Sequence, residues 1–307
     1  MKGGQIVNKK KRNVIDKAHE LFIIQGYHAT SIQDILNHSG ISKGSFYNYF
    51  TSKGELFKAV FNLIQDNMES ERDKLLIGED LTDKDIFIKQ VSFMMELSWK
   101  NKIIQLIEDV FASNDPDLIT FIKQSKYFYL TWIYERFLNI FPKNQEKYLV
   151  DCAVLYTGMM KNMMHTSKAL NRIIPVPQMA QYCLDRVMTI LDDISRKDIH
   201  LFVRENINQL HPQLNYNDFF NNEFSIATLN VKKVMEKQLA PKAPKLTTYL
   251  NLLYFIQEEI MNKNEDSKHF LIESALTTLK TGSEFNDTNE FITYEQILAN
   301  MKYYPIA

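Results

Sequence analysis

Gly26-Tyr27-His28-Ala29-Thr30-Ser31-Ile32 and Gly40-Ile41-Ser42-Lys43-Gly44-Ser45-Phe46-Tyr47-Asn48-Tyr49-Phe50-Thr51-Ser52-Lys53-Gly54-Glu55-Leu56-Phe57 are the stretches that decide the fold. Each carries the stop of one helix and the start of the next. Upstream of them, residues 1–8 read as a frayed leader. From Lys9 to Gln25 the apolar residues Val14, Ala18, Leu21 and Phe22 recur at helical spacing, and Gly26 follows as a C-cap. Thr30 then opens a second, short helix; its hydroxyl can cap the free amides, and Gln33 three residues on completes a capping box. Ile32, Ile35 and Leu36 form that helix's buried face. Gly40 supplies the positive φ of a tight turn. Ser42 caps a third helix, Lys43 to Tyr49, with Phe46 and Phe50 four apart as anchors. Ser52 and Glu55 open a long fourth helix that buries Leu56, Phe57, Val60, Phe61 and Ile64. Three short helices with a glycine turn between the second and third spell a helix-turn-helix head.

The charge distribution agrees. The chain of 307 residues has a net charge of −1, yet residues 1–60 carry Lys2, Lys9, Lys10, Lys11, Arg12, Lys17, Lys43, Lys53 and Lys58 against Asp16, Glu20, Asp34 and Glu55. That is a +5 head on a −6 remainder, the asymmetry expected of a polyanion-reading end on a separate body. A run of solvated lysines would give the same count, so charge alone leaves the question open.

Beyond the head the sequence continues in helical periods. Only 9 glycines and 8 prolines interrupt it, and they punctuate rather than break. Helices are predicted over 83–99, 102–112, 116–140, 146–168 and 177–195. Pro116, Pro142, Pro175 and Pro177 mark the starts, where proline is tolerated. Residues 211–227, rich in Asn, Phe and Asp, read as loop, and Pro241-Lys242-Ala243-Pro244 as a linker. Further helices are predicted near 246–262, 267–280 and 293–301. The expected fold is all-α: a three-helix DNA-binding head (1–58), a helical body (59–195) and a helical C-terminal extension (196–307).

Several function classes find no support. Two cysteines, Cys152 and Cys183, form no Cys-x-x-Cys pair, so neither a disulfide framework nor a zinc knuckle is indicated, and a reducing cytoplasm fits. None of the 7 histidines pairs with a second ligand at metal spacing. No nucleophile elbow or phosphate-cradling glycine loop occurs, so an enzyme reading has no residue set to stand on. No cofactor or metal is expected. No apolar run reaches the ~18 residues of a membrane span.

Over residues 9–60 the motifs quoted above closely resemble the TetR family of bacterial repressors. The resemblance implies that the helix Lys43–Tyr49 enters the major groove of operator DNA. Ser42, Lys43, Gly44, Ser45 and Asn48 would then face base edges or nearby backbone, with Gly44 permitting close approach and the Asn48 amide suited to adenine. Tyr47 and Tyr49 would turn their hydroxyls to phosphates, Thr30 and Lys53 would hold phosphates at helix N-termini, and Lys9–Arg12 would add phosphate or minor-groove contacts. Two departures stand out: Phe46 replaces the family's usual Leu, and Gly54 a common acidic residue. Over 61–195 the likeness is architectural only, and beyond 196 it ends.

The family's body encloses a small-molecule pocket and dimerises through its last two helices. Carried over, the dimer face would be Leu149, Ala153, Tyr156, Met160 and Met163 on one helix and Cys183, Val187 and Ile190 on the next. The pocket candidates are Phe93, Met94, Trp99, Phe111, Phe128 and Trp132, an aromatic set suited to a lipophilic or aromatic effector. At helical spacing they serve equally as core. Glu96, Glu108 and Asp109 could neutralise a cationic ligand. The implied partners are double-stranded operator DNA, a second copy of the chain and a small-molecule effector. The alternative is a DNA-binding regulator controlled by a protein partner docked on the extension, through Leu250, Leu253, Tyr254, Ile260, Phe270, Leu271, Ala275 and Leu279. The same residues could instead pack back on the body.

Overall fold

Helix caps set the frame. A computed structural model describes residues 2–210, 217–239, 244–261, 269–281 and 285–301. Among these residues the chain is helical, with no strand. The head consists of α1 (Lys2–Gln25), α2 (Ile32–Ser39), α3 (Lys43–Tyr49) and the start of α4 (Lys53–Lys74). Then come α5 (Lys84–Lys100), α6 (Ile103–Ser113), α7 (Pro116–Ile140), a 3-10 turn over Lys143–Tyr148, α8 (Leu149–Ala169) and α9 (Val176–Lys197). The extension holds α10 (Arg204–Leu210), α11 (Asn217–Gln238), α12 (Pro244–Met261), α13 (His269–Lys280) and α14 (Asn289–Asn300).

The leader expected to fray is instead the first turns of α1, which begins at Lys2. The loop expected over 211–227 is overturned from Asn217 onward, where α11 begins; residues 211–216, and 241–243 of the expected linker, lie outside the described residues. Phe224, Ala227, Val231 and Met235 of α11 recur every three or four residues and are all buried. A helix was therefore encoded there, behind a start (Asn217, Asn221 and Asn222) that reads as loop. Pro116 opens α7 as expected, with the Asp115 carboxylate accepting from the amides of Asp117 (3.0 Å) and Leu118 (3.2 Å).

The helices gather into two compact units, Met1–Glu69 with Phe93–Leu130 and Ser70–Ser92 with Thr131–Ala307. In the first, the head and the helices beside it share one core. Val14, Ala18, Phe22, Ile35, Phe46 and Phe57 from the head meet Leu106, Val110, Leu118 and Ile122 from α6 and α7. In the second, α11 to α14 close a core of their own around Phe224, Leu253, Ile256, Leu276, Phe285 and Tyr294. Leu253, Ile260, Ala275 and Leu279, offered above as a partner-docking set, are spent in that core; of the set, Phe270 is strongly exposed.

The extension also grips the turn between α4 and α5. Gly78 there has φ +73°, donates its amide to the Gln257 side chain at 3.2 Å and accepts from Lys232 Nζ at 2.6 Å. A Cβ on Gly78 would lie 2.7 Å from the Tyr254 ring, so the close approach requires glycine. Packing back within the chain, rather than a free docking face, is thus the state of α11 and α12.

Candidate nucleic-acid interface

The recognition surface is assembled from its caps outward. Gly26 ends α1 with φ +86° and its amide closes on the Phe22 carbonyl at 3.0 Å. Gly40 ends α2 in the left-handed region, φ +68°. Ser42 caps α3, its hydroxyl accepting from the Ser45 amide at 3.1 Å and lying 3.0 Å from the Ser45 hydroxyl. The cap of α2 differs from expectation by one residue. Ser31, not Thr30, is the N-cap, and Asp34 answers it: the Ser31 amide donates to the Asp34 carboxylate at 2.8 Å and the Asp34 amide to the Ser31 hydroxyl at 3.1 Å. Both registers fit the capping-box pattern in sequence, and the carboxylate pairing is the one realised because a charged acceptor makes the stronger bond. These bonds hold the Asp34 carboxyl below its ordinary range.

Thr30 is buried. Its hydroxyl donates to the Gly26 carbonyl at 2.7 Å and accepts from the Gln25 amide at 3.2 Å, so the side chain locks the α1–α2 turn from inside. Lys53 is likewise turned inward. Its ammonium donates to the carbonyls of Tyr27 (3.1 Å) and Thr30 (2.9 Å) and lies 4.4 Å from the Tyr27 ring centroid. Partial burial pulls its pKa below the usual lysine value. In this structure the Thr30 and Lys53 side chains bond within the head, Thr30 fully buried and Lys53 partly so.

On α3, Phe46 and Phe50 point into the core, and Tyr49 packs partly against it. The opposite side presents Lys43, Gly44, Tyr47 and Asn48, all exposed; Tyr47 keeps 46% of its surface in solvent. Gly44 is the informative member. A Cβ there would meet nothing nearer than the Ser42 hydroxyl at 4.0 Å, and its φ is not positive. Nothing inside the chain requires a glycine at a position where it weakens a short helix. Lys9, Lys10 and Arg12 of α1 are exposed or partly so. Ser31 was missed by sequence reasoning as a surface hydroxyl at the mouth of α2; the Ser31-x-x-Asp34 pattern was the available signal.

The base of the head is tied to α6 and α7. The Asp109 carboxylate accepts from the Tyr27 amide at 2.8 Å and sits so close to Gly26 that a Cβ would fall 2.7 Å from it. Lys102 donates to the Ile23 carbonyl at 2.8 Å, and Lys58 pairs with Asp117. Asp109 therefore has a structural employment; Glu96 and Glu108 are exposed.

The candidate pocket residues are divided between the two compact units. Phe93, Met94, Trp99, Phe111 and Phe128 belong to the first compact unit and Trp132 to the second. Trp99 and Phe111 are exposed, Met94 packs against the head's core, and Trp132 is buried beside Phe87. Leu149, Ala153, Tyr156, Met160, Cys183 and Val187 are buried within the chain itself, with Met163 and Ile190 partly so. α8 and α9 pack on each other through them. Burial lifts the Cys152 thiol to about 12 and the Cys183 thiol to about 11. No group of His, Cys, Asp and Glu able to hold a metal ion occurs among the described residues, and no helix there is long and apolar enough to cross a membrane.

Two short helices joined by a glycine turn, braced by α1 and with one face of the second left open, define a helix-turn-helix DNA-binding domain. Residues 14–60 match the bacterial regulatory proteins of the tetR family. The chain is 21% identical to the uncharacterised HTH-type transcriptional regulator YuxN of Bacillus subtilis, over 87% of this chain and 99% of that protein. It is 28% identical to the uncharacterised regulator YerO of the same organism, over 66% of this chain and 71% of that protein. It is also 28% identical to the regulator QacR of Staphylococcus aureus, over 34% and 57% of the two chains. No solved structure matches. The head is therefore similar to the DNA-binding domain of the tetR family, and the chain as a whole to HTH-type transcriptional regulators. A match over 87% of the chain runs past residue 195, so likeness to YuxN reaches into the extension.

Proposed function

We propose that the protein is a homodimeric repressor that reads a palindromic operator with α3 and leaves it when a small molecule binds the body. The observation that carries the DNA reading is the open face of α3: Lys43, Gly44, Tyr47 and Asn48 are exposed, and Gly44 serves no packing inside the chain. Lys43 and Tyr47 would engage phosphates and Asn48 a base edge, with Ser42 and Ser45 holding the helix start and Tyr49 setting its depth. The exposed hydroxyl at the mouth of α2 is that of Ser31, which takes over the phosphate role expected of Thr30. Repression needs the fewest further parts, since a dimer seated across a promoter excludes polymerase without any activating contact. The setting is the cytoplasm, where the operator is.

Gly44→Ala separates fold from function. Alanine should stabilise the head by about 0.5–1 kcal/mol, the ordinary helix-interior gain, while weakening operator binding. A melting curve and a binding isotherm on the same sample check it; binding that is unchanged would remove Gly44 from the interface.

A dimer supplies what one short recognition helix lacks, a second half-site ~34–36 Å away. With the inward face of α8 and α9 occupied, the outward face is available: Leu155, Gly158, Asn162 and Tyr182 are exposed there, and a Cβ on Gly158 would meet nothing within 4 Å. Leu155→Glu should give a helical monomer in sedimentation velocity that no longer binds operator. A variant that stays dimeric places the interface elsewhere. Control by a protein partner through the extension is the weaker reading, because most of its candidate docking residues are used in the extension's own core.

A further inference from the structure

We propose that Arg136 receives an oxyanion, the carboxylate or phosphate group of a small ligand, inside the second compact unit. The proposal deepens the effector reading above, and rests on it only for what binding does at the operator. It also gives the effector an acidic group, which the aromatic residues of the sequence did not suggest.

Arg136 lies in the second half of α7, four residues from Trp132 and so on the same face. Only 2% of it is exposed. Its Nε donates to the Gln90 side-chain oxygen at 3.0 Å. The Gln90 amide nitrogen in turn donates to the Arg72 carbonyl at 3.2 Å, which fixes the glutamine with its oxygen toward Arg136. Both Nη atoms of Arg136 are buried with no hydrogen-bond partner. That leaves the fork of a guanidinium, the part shaped for bidentate oxyanion binding, unanswered.

The nearby charges do not fill that fork. Arg72, 6% exposed, has its guanidinium 4.7 Å from the Trp132 ring centroid and close enough to act unfavourably on Arg136. Asp73 lies 2.8 Å from the Arg72 guanidinium and is bonded to it. Asp80 and Asp83 act on Arg136 from further off, but they are committed locally. Asp80 accepts from the Thr82 amide and hydroxyl, and Asp83 from the amides of Asp85 and Ile86. The bonded carboxylate of Asp73 thus serves Arg72 and not the fork of Arg136. Burial and the Arg72 charge lower the Arg136 pKa to about 10, which leaves it charged at neutral pH. An unpaired buried charge is costly, whereas a paired one in an apolar setting is strongly held. Aromatic rings lie on the same helix stretch as Arg136, at Trp132 and Phe137: Phe87 stacks on Trp132 and meets Phe137 and Tyr156 at 5.6 and 5.5 Å.

The test uses the full chain. Its melting temperature is read in a HEPES–chloride buffer with added inorganic phosphate, benzoate or octanoate, and with octanol as the uncharged control. Wild type is compared with Arg136→Met and Arg136→Lys. At least one anion should raise the wild-type melting temperature in a concentration-dependent way, octanol should not, and Arg136→Met should lose the shift, with at least a roughly ten-fold weaker Kd by calorimetry. Without anions Arg136→Met should melt at or above wild type, because it sheds an unpaired charge, and Arg136→Lys should keep part of the anion effect. A response to phosphate alone identifies an inorganic or phosphoryl ligand; a response to benzoate or octanoate identifies an organic acid. The proposal is overturned if no anion shifts the wild type, if the shift survives in Arg136→Met, or if Arg136→Met simply melts lower with no anion effect in either protein. Anion binding that leaves operator affinity unchanged would keep this site and remove the effector reading.

Discussion

Phe46→Ala should cost about 3–5 kcal/mol of stability, the usual range for emptying a buried aromatic site, and operator binding should go with it. Phe46 is fully buried. Its ring meets Phe50 at 5.8 Å and Tyr47 at 5.3 Å, in a core that also holds Ile35 and Phe57. α3 has only 7 residues, too few to be helical alone, so its shape depends on this anchor. Phe46→Leu should cost far less, because leucine refills most of the volume. Urea unfolding followed by circular dichroism gives both numbers. A loss below ~1 kcal/mol for the alanine variant, against the range above, would mean that α3 is held by something other than its core side.

The second large effect concerns Lys53. Two charge-assisted hydrogen bonds to the carbonyls of Tyr27 and Thr30 would each be worth about 1.5–3 kcal/mol if fully buried. Lys53 is only partly buried, so solvent screening reduces the sum. Lys53→Ala should therefore lower stability by roughly 2 kcal/mol, a discounted form of that hydrogen-bond range. It should leave the salt dependence of DNA binding as it was. The opposite pattern, an intact melting temperature with the salt slope reduced by about one, would return Lys53 to the phosphate backbone. The two roles make different demands on one lysine, and a single variant measured both ways separates them.

Much of the head was legible because its signals are local. Gly26, Gly40, Ser42 and Ser52 punctuate helices through backbone conformation and capping bonds that reach only three or four residues. Ser31 was hidden by Thr30, since two hydroxyls in succession offer two registers for one cap. Lys53 could not be read as a strut, because its carbonyl partners become neighbours only once α4 folds against the α1–α2 turn. The faces of α8 and α9 show a deeper limit. Periodicity identified Ala153, Tyr156, Cys183 and Val187 as a buried side, but it carries no record of what buries them. Each helix finds the other within the same chain, so the proposed subunit contact is sought at the exposed Leu155 and Tyr182. In α11, asparagines at the start masked the apolar period that follows. Arg136 gave no sequence signal at all. A lone arginine in an aromatic helix reads as surface until its partners, or their lack, are seen.

The most direct test of the central claim is selection from a random duplex pool, followed by binding of the winner over a salt series. Wild type is compared with a Lys43→Ala, Tyr47→Ala double variant. The account predicts an enriched near-palindrome and, for the variant, an unchanged melting temperature, weaker binding and a shallower salt slope. Failure to enrich any sequence, or a variant that binds as well as the wild type with the same slope, would contradict the reading of α3 as the DNA-recognising face.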